Sequence, residues 1–303
     1  MTDRTALQGA GIEWPTLALI AGCYFVWWLG VGWATTVWLP FGMAMTILAI
    51  TLHSSLQHEV LHGHPTRVRA VNEALVSLPL GLLFPYGRFR DMHLAHHRDE
   101  HLTDPYDDPE SNFRDPLVWA RLPGPLKALL RFNNTLFGRM LIGPAIACAT
   151  FVPADLRAIL KGDRAIARDW LLHLAGLAVL VLILRVAPMP WWAYLASAYA
   201  GLSILKIRTY LEHRAHEIAR CRSVIVEGGR VLPFLFLNNN LHVVHHTKPG
   251  LAWYRLPSHY RTHRADYLRR NDSYLYRNYG EIFRAHFFRA KDPVPHPLRP
   301  EKG

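Results

Sequence analysis

From Trp14 to His58 the chain contains no Asp, Glu, Lys or Arg, a run of 45 residues. No feature constrains the fold more. A membrane-spanning helix needs about 20 apolar residues, so the run holds two spans joined by a short turn. The turn is expected around Gly30, Gly32 and Pro40, where glycine and proline interrupt the pattern. A second apolar region, Trp170 to about Tyr210, breaks at Pro188–Met189–Pro190 and reads as another hairpin. The expectation is an all-α integral membrane protein, 1–303 forming one domain. Its spans lie at about 14–34, 38–58, 170–188 and 191–211, with a helical cap from 59–169 and 212–303. Two shorter apolar pieces, Ala74–Tyr86 and Met140–Pro153, contain proline and are too short to span. They suit interfacial or re-entrant segments.

Charge sets the orientation. Lys and Arg number 34 against 23 Asp and Glu, which in a soluble chain would suggest nucleic acid. Here the cations are sorted by segment: one in residues 1–13, 14 in 59–169, 18 in 206–303, and Arg185 beside the second turn. By the positive-inside rule both turns face away from the cytosol, and both termini and the cap face it, at the inner (cell) membrane. Trp27, Trp28, Trp33, Trp38, Trp191 and Trp192 gather near the turns, as indole does at a headgroup layer. The N-terminal segment is not a secretory signal, so the first apolar stretch stays as an anchor. Cys23, Cys148 and Cys221 are too scattered for a disulfide framework or a zinc knuckle.

Of 18 histidines, 13 fall in four clusters. H-E-V-L-H places His58 and His62 at i and i+4 on one helix face. H-L-A-H-H gives His93, His96 and His97, and H-V-V-H-H gives His242, His245 and His246. His213 and His216 follow the fourth expected span. His53, His64 and His101 flank these motifs without sharing their spacing. Imidazole is the commonest protein metal ligand and suits iron, zinc and copper. A lone histidine such as His173 reads instead as a hydrogen-bonded core residue. H-E-x-x-H also fits a zinc hydrolase with Glu59 as base, but that site needs three ligands and leaves most of the clustered histidines unexplained. A metal transporter would carry ionisable ligands within its spans; here they sit at the ends.

H-x-x-x-H, H-x-x-H-H and H-x-x-H-H in this order and spacing resemble the membrane fatty acid desaturase superfamily, which includes acyl desaturases, alkane hydroxylases and carotenoid ketolases. The resemblance implies four spans and two iron ions bound on the cytosolic side by His58, His62, His93, His96, His97, His242, His245 and His246. Tyr210–His213 is similar to a motif after the fourth span of alkane hydroxylases, which implies His213 as a ninth ligand. The acidic run D-P-Y-D-D-P-E-S offers Asp104, Asp107, Asp108 and Glu110 to orient imidazoles. Arg208–Glu217, Asn238–His246 and Trp253–Pro257 look most like the rhizopine-oxygenase branch. The implied activity is O2-dependent C–H oxidation, by hydroxylation or oxidative demethylation, with fatty acyl desaturation as the alternative. Dinucleotide, haem and iron–sulfur motifs are absent from the sequence, so electrons are expected from a separate ferredoxin, Rieske-type in that branch, with its reductase. Trp253, Tyr254 and Tyr260 suit either a substrate entrance or an interfacial belt.

Overall fold

The computed structural model describes residues 11–97 and 102–299. His101 and both chain termini, whose cytosolic placement the charge count predicts, lie outside the described residues. Helices dominate, and among the described residues four are long and apolar enough to cross a bilayer: α1 (Trp14–Val37), α2 (Leu39–Leu61), α4 (Leu136–Leu160) and α5 (Arg164–Val186). A short helix, α3 (Tyr86–His96), precedes α4, and α6 (Trp191–Thr209) follows α5. The cap adds α7 (His242–Thr247) and a two-stranded parallel sheet, β1 (Ile225–Gly228) with β2 (Leu275–Asn278), in register Ile225 with Leu275.

The first hairpin turns later than its glycines suggest. Helix α1 runs through a π segment at Gly30–Ala34, kinked at Gly32, and the chain reverses at the extended Trp38. Proline at the start of α2 is tolerated because the first-turn N–H has no helical partner. The glycines instead allow close packing: a Cβ on Gly30 would lie 2.7 Å from Thr46 Oγ1, and one on Gly42 would lie 2.2 Å from Thr35 Oγ1.

Ala74–Tyr86, expected as an interfacial or re-entrant segment, packs among the long helices. Beyond Leu75 its backbone is irregular, and side chains of the long helices satisfy it. Gln57 Nε2 donates to Val76 O at 3.1 Å, Tyr194 Oη to Leu80 O at 2.9 Å, and His173 Nε2 to Leu82 O at 2.9 Å. Trp27 Nε1 in turn donates to Tyr194 Oη. Non-helical backbone at membrane depth is tolerated only when buried in protein and hydrogen-bonded, which gives His173 the structural role expected of a lone histidine.

Met140–Pro153 belongs to a longer helix than the sequence suggests. Pro144 and Pro153 lie inside α4 without ending it. Both ends of α4 meet the cap side. Phe137 N–H donates to Phe287 O at one end, and at the other Asp155 takes both Arg88 Nε (2.8 Å) and Nη2 (2.9 Å) from α3. Both ends of helix α4 are therefore tied to elements of the cap. The helix expected as the fourth span, α6, is less apolar than α4 because Tyr194, Ser197, Tyr199 and Ser203 interrupt it. It nevertheless packs along α2, with Gly201 against Ile50: a Cβ there would lie 2.9 Å from Ile50 Cγ2. Helices α2 and α6 run in the same direction, so their C-terminal ends, at His58–His62 and Arg208–His213, arrive together at the cap.

Candidate metal centre

The eight histidines of the three spaced motifs, together with His213, converge in two adjacent groups. His58, His62, His93, His97 and His245 form the first; His96, His213, His242 and His246 form the second. Within each group the candidate ligand nitrogens lie within 4.8 Å of one another. The partition follows helical geometry. Residues i and i+4 lie about 40° apart around a helix, whereas i+3 and i+4 lie about 100° apart. Each i, i+4 pair therefore enters one group: His58 with His62, His93 with His97, and His242 with His246. The i+3 members cross over, His96 to the second group and His245 to the first. The rings of His97 and His246 stack across the boundary with centroids 4.3 Å apart.

The Nε2 atoms point inward and crowd together. His97 Nε2 lies 2.9 Å from His93 Nε2 and 3.0 Å from His245 Nε2. In the second group His213 Nε2 lies 3.0 Å from His96 Nε2 and 3.1 Å from His242 Nε2, and His246 Nε2 lies 3.0 Å from His242 Nε2. His58 Nε2 and His62 Nε2 are buried with no hydrogen-bond partner. Metal–imidazole bonds of about 2.1 Å place neighbouring octahedral ligands about 3 Å apart, so the observed spacings suit ligands around an ion. Buried neutral imidazoles facing one another through Nε2 would otherwise leave polar atoms poorly satisfied.

The outward Nδ1 atoms are held as metal ligands require. His93 Nδ1 donates to Glu110 Oε1 at 2.8 Å and His96 Nδ1 to Asp108 Oδ1 at 2.7 Å. His242 Nδ1 donates to Asn239 Oδ1 at 3.1 Å, with Glu212 Oε1 at 3.7 Å, and His213 Nδ1 lies 3.3 Å from Ser223 Oγ. A proton fixed at Nδ1 leaves the Nε2 lone pair facing inward. Of the four acidic candidates, Asp108 and Glu110 do this work, while Asp104 binds Arg299 and Asp107 is exposed. Sequence reading missed Asn239 and Glu212; their signal was position, three residues before His242 and next to His213.

Charge follows burial. Burial, reinforced by neighbouring imidazoles, holds His62, His213, His242, His245 and His246 neutral well below the ordinary histidine range, and brings His97 down to about 2. Burial also opposes the charged form of His96, but the bond to Asp108 and the nearby Glu110 and Glu212 outweigh it and raise His96 to about 9. Burial works against the Glu110 carboxylate too, yet attraction to His93 and the hydrogen bond from it hold Glu110 well below the usual range.

The flanking histidines stand apart. His53 Nε2 pairs with Tyr24 Oη at 3.2 Å. His64 Nδ1 donates to Glu13 Oε2 at 2.8 Å, its Nε2 lies 3.7 Å from Glu59 Oε1, and Glu59 accepts from the Trp253 N–H at 2.9 Å. Glu59 thus fastens the end of α2 to the loop at Trp253. His216 Nε2 sits 3.6 Å from Asp272.

A cavity of about 440 Å³ abuts the centre, reaching Asp108, Glu110, Glu212 and His213 at one end and Ile50, Leu82, Phe84 and Phe151 at the other. Trp253, Tyr254 and Tyr260 do not line it; Tyr260 is buried and donates to Glu227 Oε1 at 2.6 Å.

Residues 36–278 match the family model described as fatty acid desaturase. The chain is also 26% identical over 269 residues to the beta-carotene ketolase of Paracoccus sp. (strain N81106 / MBIC 01143), an alignment covering 85% of this chain and 93% of the ketolase.

Proposed function

The chain belongs to the fatty acid desaturase family, and from that premise we propose that it is a membrane di-iron oxygenase that oxidises a C–H bond with O2. It is an oxidoreductase of the membrane oxygenase and desaturase class, and its long apolar helices suit a lipid bilayer. The observation that carries the finer reading is the meeting of nine inward-facing imidazoles, split five and four, beside a cavity of about 440 Å³. Nine candidate ligands exceed what one octahedral ion uses, so the reading assigns one iron to each group, with His58, His62, His93, His97 and His245 on one and His96, His213, His242 and His246 on the other.

Two irons bound there would supply O2 activation and removal of hydrogen from an unactivated C–H bond. The chain's own part is positional. Asp108 and Glu110 keep the Nδ1 protons of His96 and His93 in place, and Asn239 does so for His242. Rigid helices α2, α3 and α7 fix the angles between imidazoles. Leu82 and Phe84 before α3, with Gly143, Ile146 and Phe151 of α4, line the cavity and would hold a substrate carbon near the centre.

Likeness to a ketolase supports insertion of oxygen over desaturation, and oxidative demethylation of the rhizopine-oxygenase kind is the narrower form of the same chemistry. Electrons reach the centre from a separate ferredoxin on the cytosolic side, where the exposed Arg255, Arg261 and Arg270 add to the basic charge of the cap. Metal analysis of anaerobically purified protein in nanodiscs tests the reading: two irons per chain are expected. One zinc with no iron in native membranes refutes it.

A further inference from the structure

Resting on the reading of the nine histidines as a metal centre, we propose that His296, which lies outside every spaced motif, is a positioning residue for that centre. It holds Thr103 in a left-handed backbone conformation, from which the Thr103 N–H fixes Asp108 against His96.

Thr103 is the observation that asks for a cause. Its φ is 77°, where a β-branched residue is a steric outlier and persists only when its surroundings over-determine it. Thr103 is buried, and its polar groups are engaged. Its N–H donates to Asp108 Oδ2 at 2.8 Å, its carbonyl accepts from Ser111 Oγ at 2.7 Å, and its hydroxyl meets His296 Nε2 at 3.2 Å. The first two bonds use backbone alone, and a glycine would make both without the steric cost. The threonine hydroxyl is spent on His296. Leu298 N–H donates to His296 Nδ1 at 3.3 Å, which leaves the ring proton on Nε2, facing Thr103 Oγ1.

His296 is itself held in place. Residues 291–299 cross the acidic loop 102–115 as a strap. Arg114 N–H donates to Val294 O at 2.9 Å and His296 N–H to Arg114 O at 2.8 Å, while the His296 ring meets Phe113 edge-on with centroids 4.9 Å apart. Further along, Arg299 donates to Asp104 Oδ2 from Nη2 at 2.6 Å and to Asp115 Oδ2 from Nη1 at 3.4 Å, tying the two ends of the loop. Three hydrogen bonds then join the strap to a candidate ligand: His296 to Thr103, Thr103 to Asp108, and Asp108 to His96. Among the described residues no hydrogen bond from the strap reaches Glu110 or His93, so the five-histidine group lies off this path.

The test follows cobalt(II) binding to the metal-depleted full chain in nanodiscs, by the visible absorption of cobalt–imidazole ligation. Hydrogen exchange of residues 102–115 is measured beside it in the metal-free protein. His296→Ala should weaken one of two cobalt-binding steps about 10-fold, the scale on which a ligand's outer partners act, and leave the other at the parental value. Exchange of 102–115 should quicken at least about 10-fold. Thr103→Val, which removes the hydroxyl from the other side of the same bond, should reproduce both effects. Adding Thr103→Gly to His296→Ala should restore binding and protection, because glycine keeps the left-handed conformation unaided. Adding Thr103→Ala, which retains the strain without the hydroxyl, should not. Equal weakening of both steps, rescue by alanine as complete as by glycine, or parental behaviour of His296→Ala and Thr103→Val overturns the proposal. A parent protein that binds no cobalt refutes the metal reading instead, and the exchange measurements then decide by themselves whether His296 holds Thr103.

Discussion

Asp108→Asn is a one-atom change whose consequence the structure makes specific. Asp108 is buried and its two oxygens take three donors: Oδ1 receives His96 Nδ1–H at 2.7 Å and the Glu110 N–H at 2.9 Å, and Oδ2 receives the Thr103 N–H at 2.8 Å. Asparagine has one oxygen. If it faces His96 and Glu110, the amide NH2 confronts the Thr103 N–H, and an unsatisfied buried donor costs about 1–3 kcal/mol of stability. If it faces Thr103, the NH2 confronts His96 Nδ1, which must then accept and carry its proton on Nε2, where a metal would bind. In both orientations His96 loses its carboxylate, a change typically worth about 10–100-fold in metal affinity, or roughly 1.4–2.7 kcal/mol. The loss should fall on the group of His96, His213, His242 and His246 and spare the other. Under a graded chelator challenge, iron should drop from two towards one per chain at about 10–100-fold lower chelator than in the parent. Asp107→Asn, at an exposed neighbour, should titrate like the parent. Retention of both irons by Asp108→Asn at parental chelator concentrations, or equal loss from both groups, would refute the assignment of Asp108 to one ion.

Other outcomes follow from the same geometry. His213→Ala should lose iron and turnover as severely as His245→Ala, whereas His216→Ala and His286→Ala, outside both groups, should change neither; iron content and product formation check this. Asp155→Ala should lower stability by about 1–3 kcal/mol, because Arg88 loses its bidentate acceptor and Trp170 Nε1 loses its acceptor at 2.9 Å; a denaturant melt in nanodiscs measures it. Reporter fusions or single-cysteine labels at residues 133 and 162 should both report the cytosolic side, with Trp33 and Pro190 opposite, since both ends of α4 are tied to the cap. Iron-free protein should lose stability on acidification: His62, His97, His213, His242, His245 and His246 have folded pKa values below the unfolded 6.5. Below pH 6.5 the unfolded chain therefore takes up protons that the folded chain refuses, at up to about 1.4 kcal/mol per pH unit for each group. His96, raised to about 9, acts oppositely, its contribution complete below 6.5 and lost as pH rises through 9. Denaturant titrations between pH 5 and 10 check both limbs.

The membrane habit and the identity of the candidate ligands were legible in the sequence because both are local. An uncharged run of 45 residues has few places to go other than a bilayer, and His58 with His62, or His93 with His97, share a helix face whatever surrounds them. Even the role of Asp108 and Glu110 was visible as an acidic run beside a histidine motif. What the sequence left open depends on which elements meet. Pro144 and Pro153 look like helix ends, yet α4 passes through both and is anchored at each end by long-range bonds to Phe287 and Arg88. Gly30 and Gly32 resemble a turn, yet the chain reverses at Trp38, and Gly30 with Gly42 serves close packing between α1 and α2. His245 and His96 leave their own motifs to join imidazoles on other helices, so the division into five and four depends on how α2, α3 and α7 are aimed at one another.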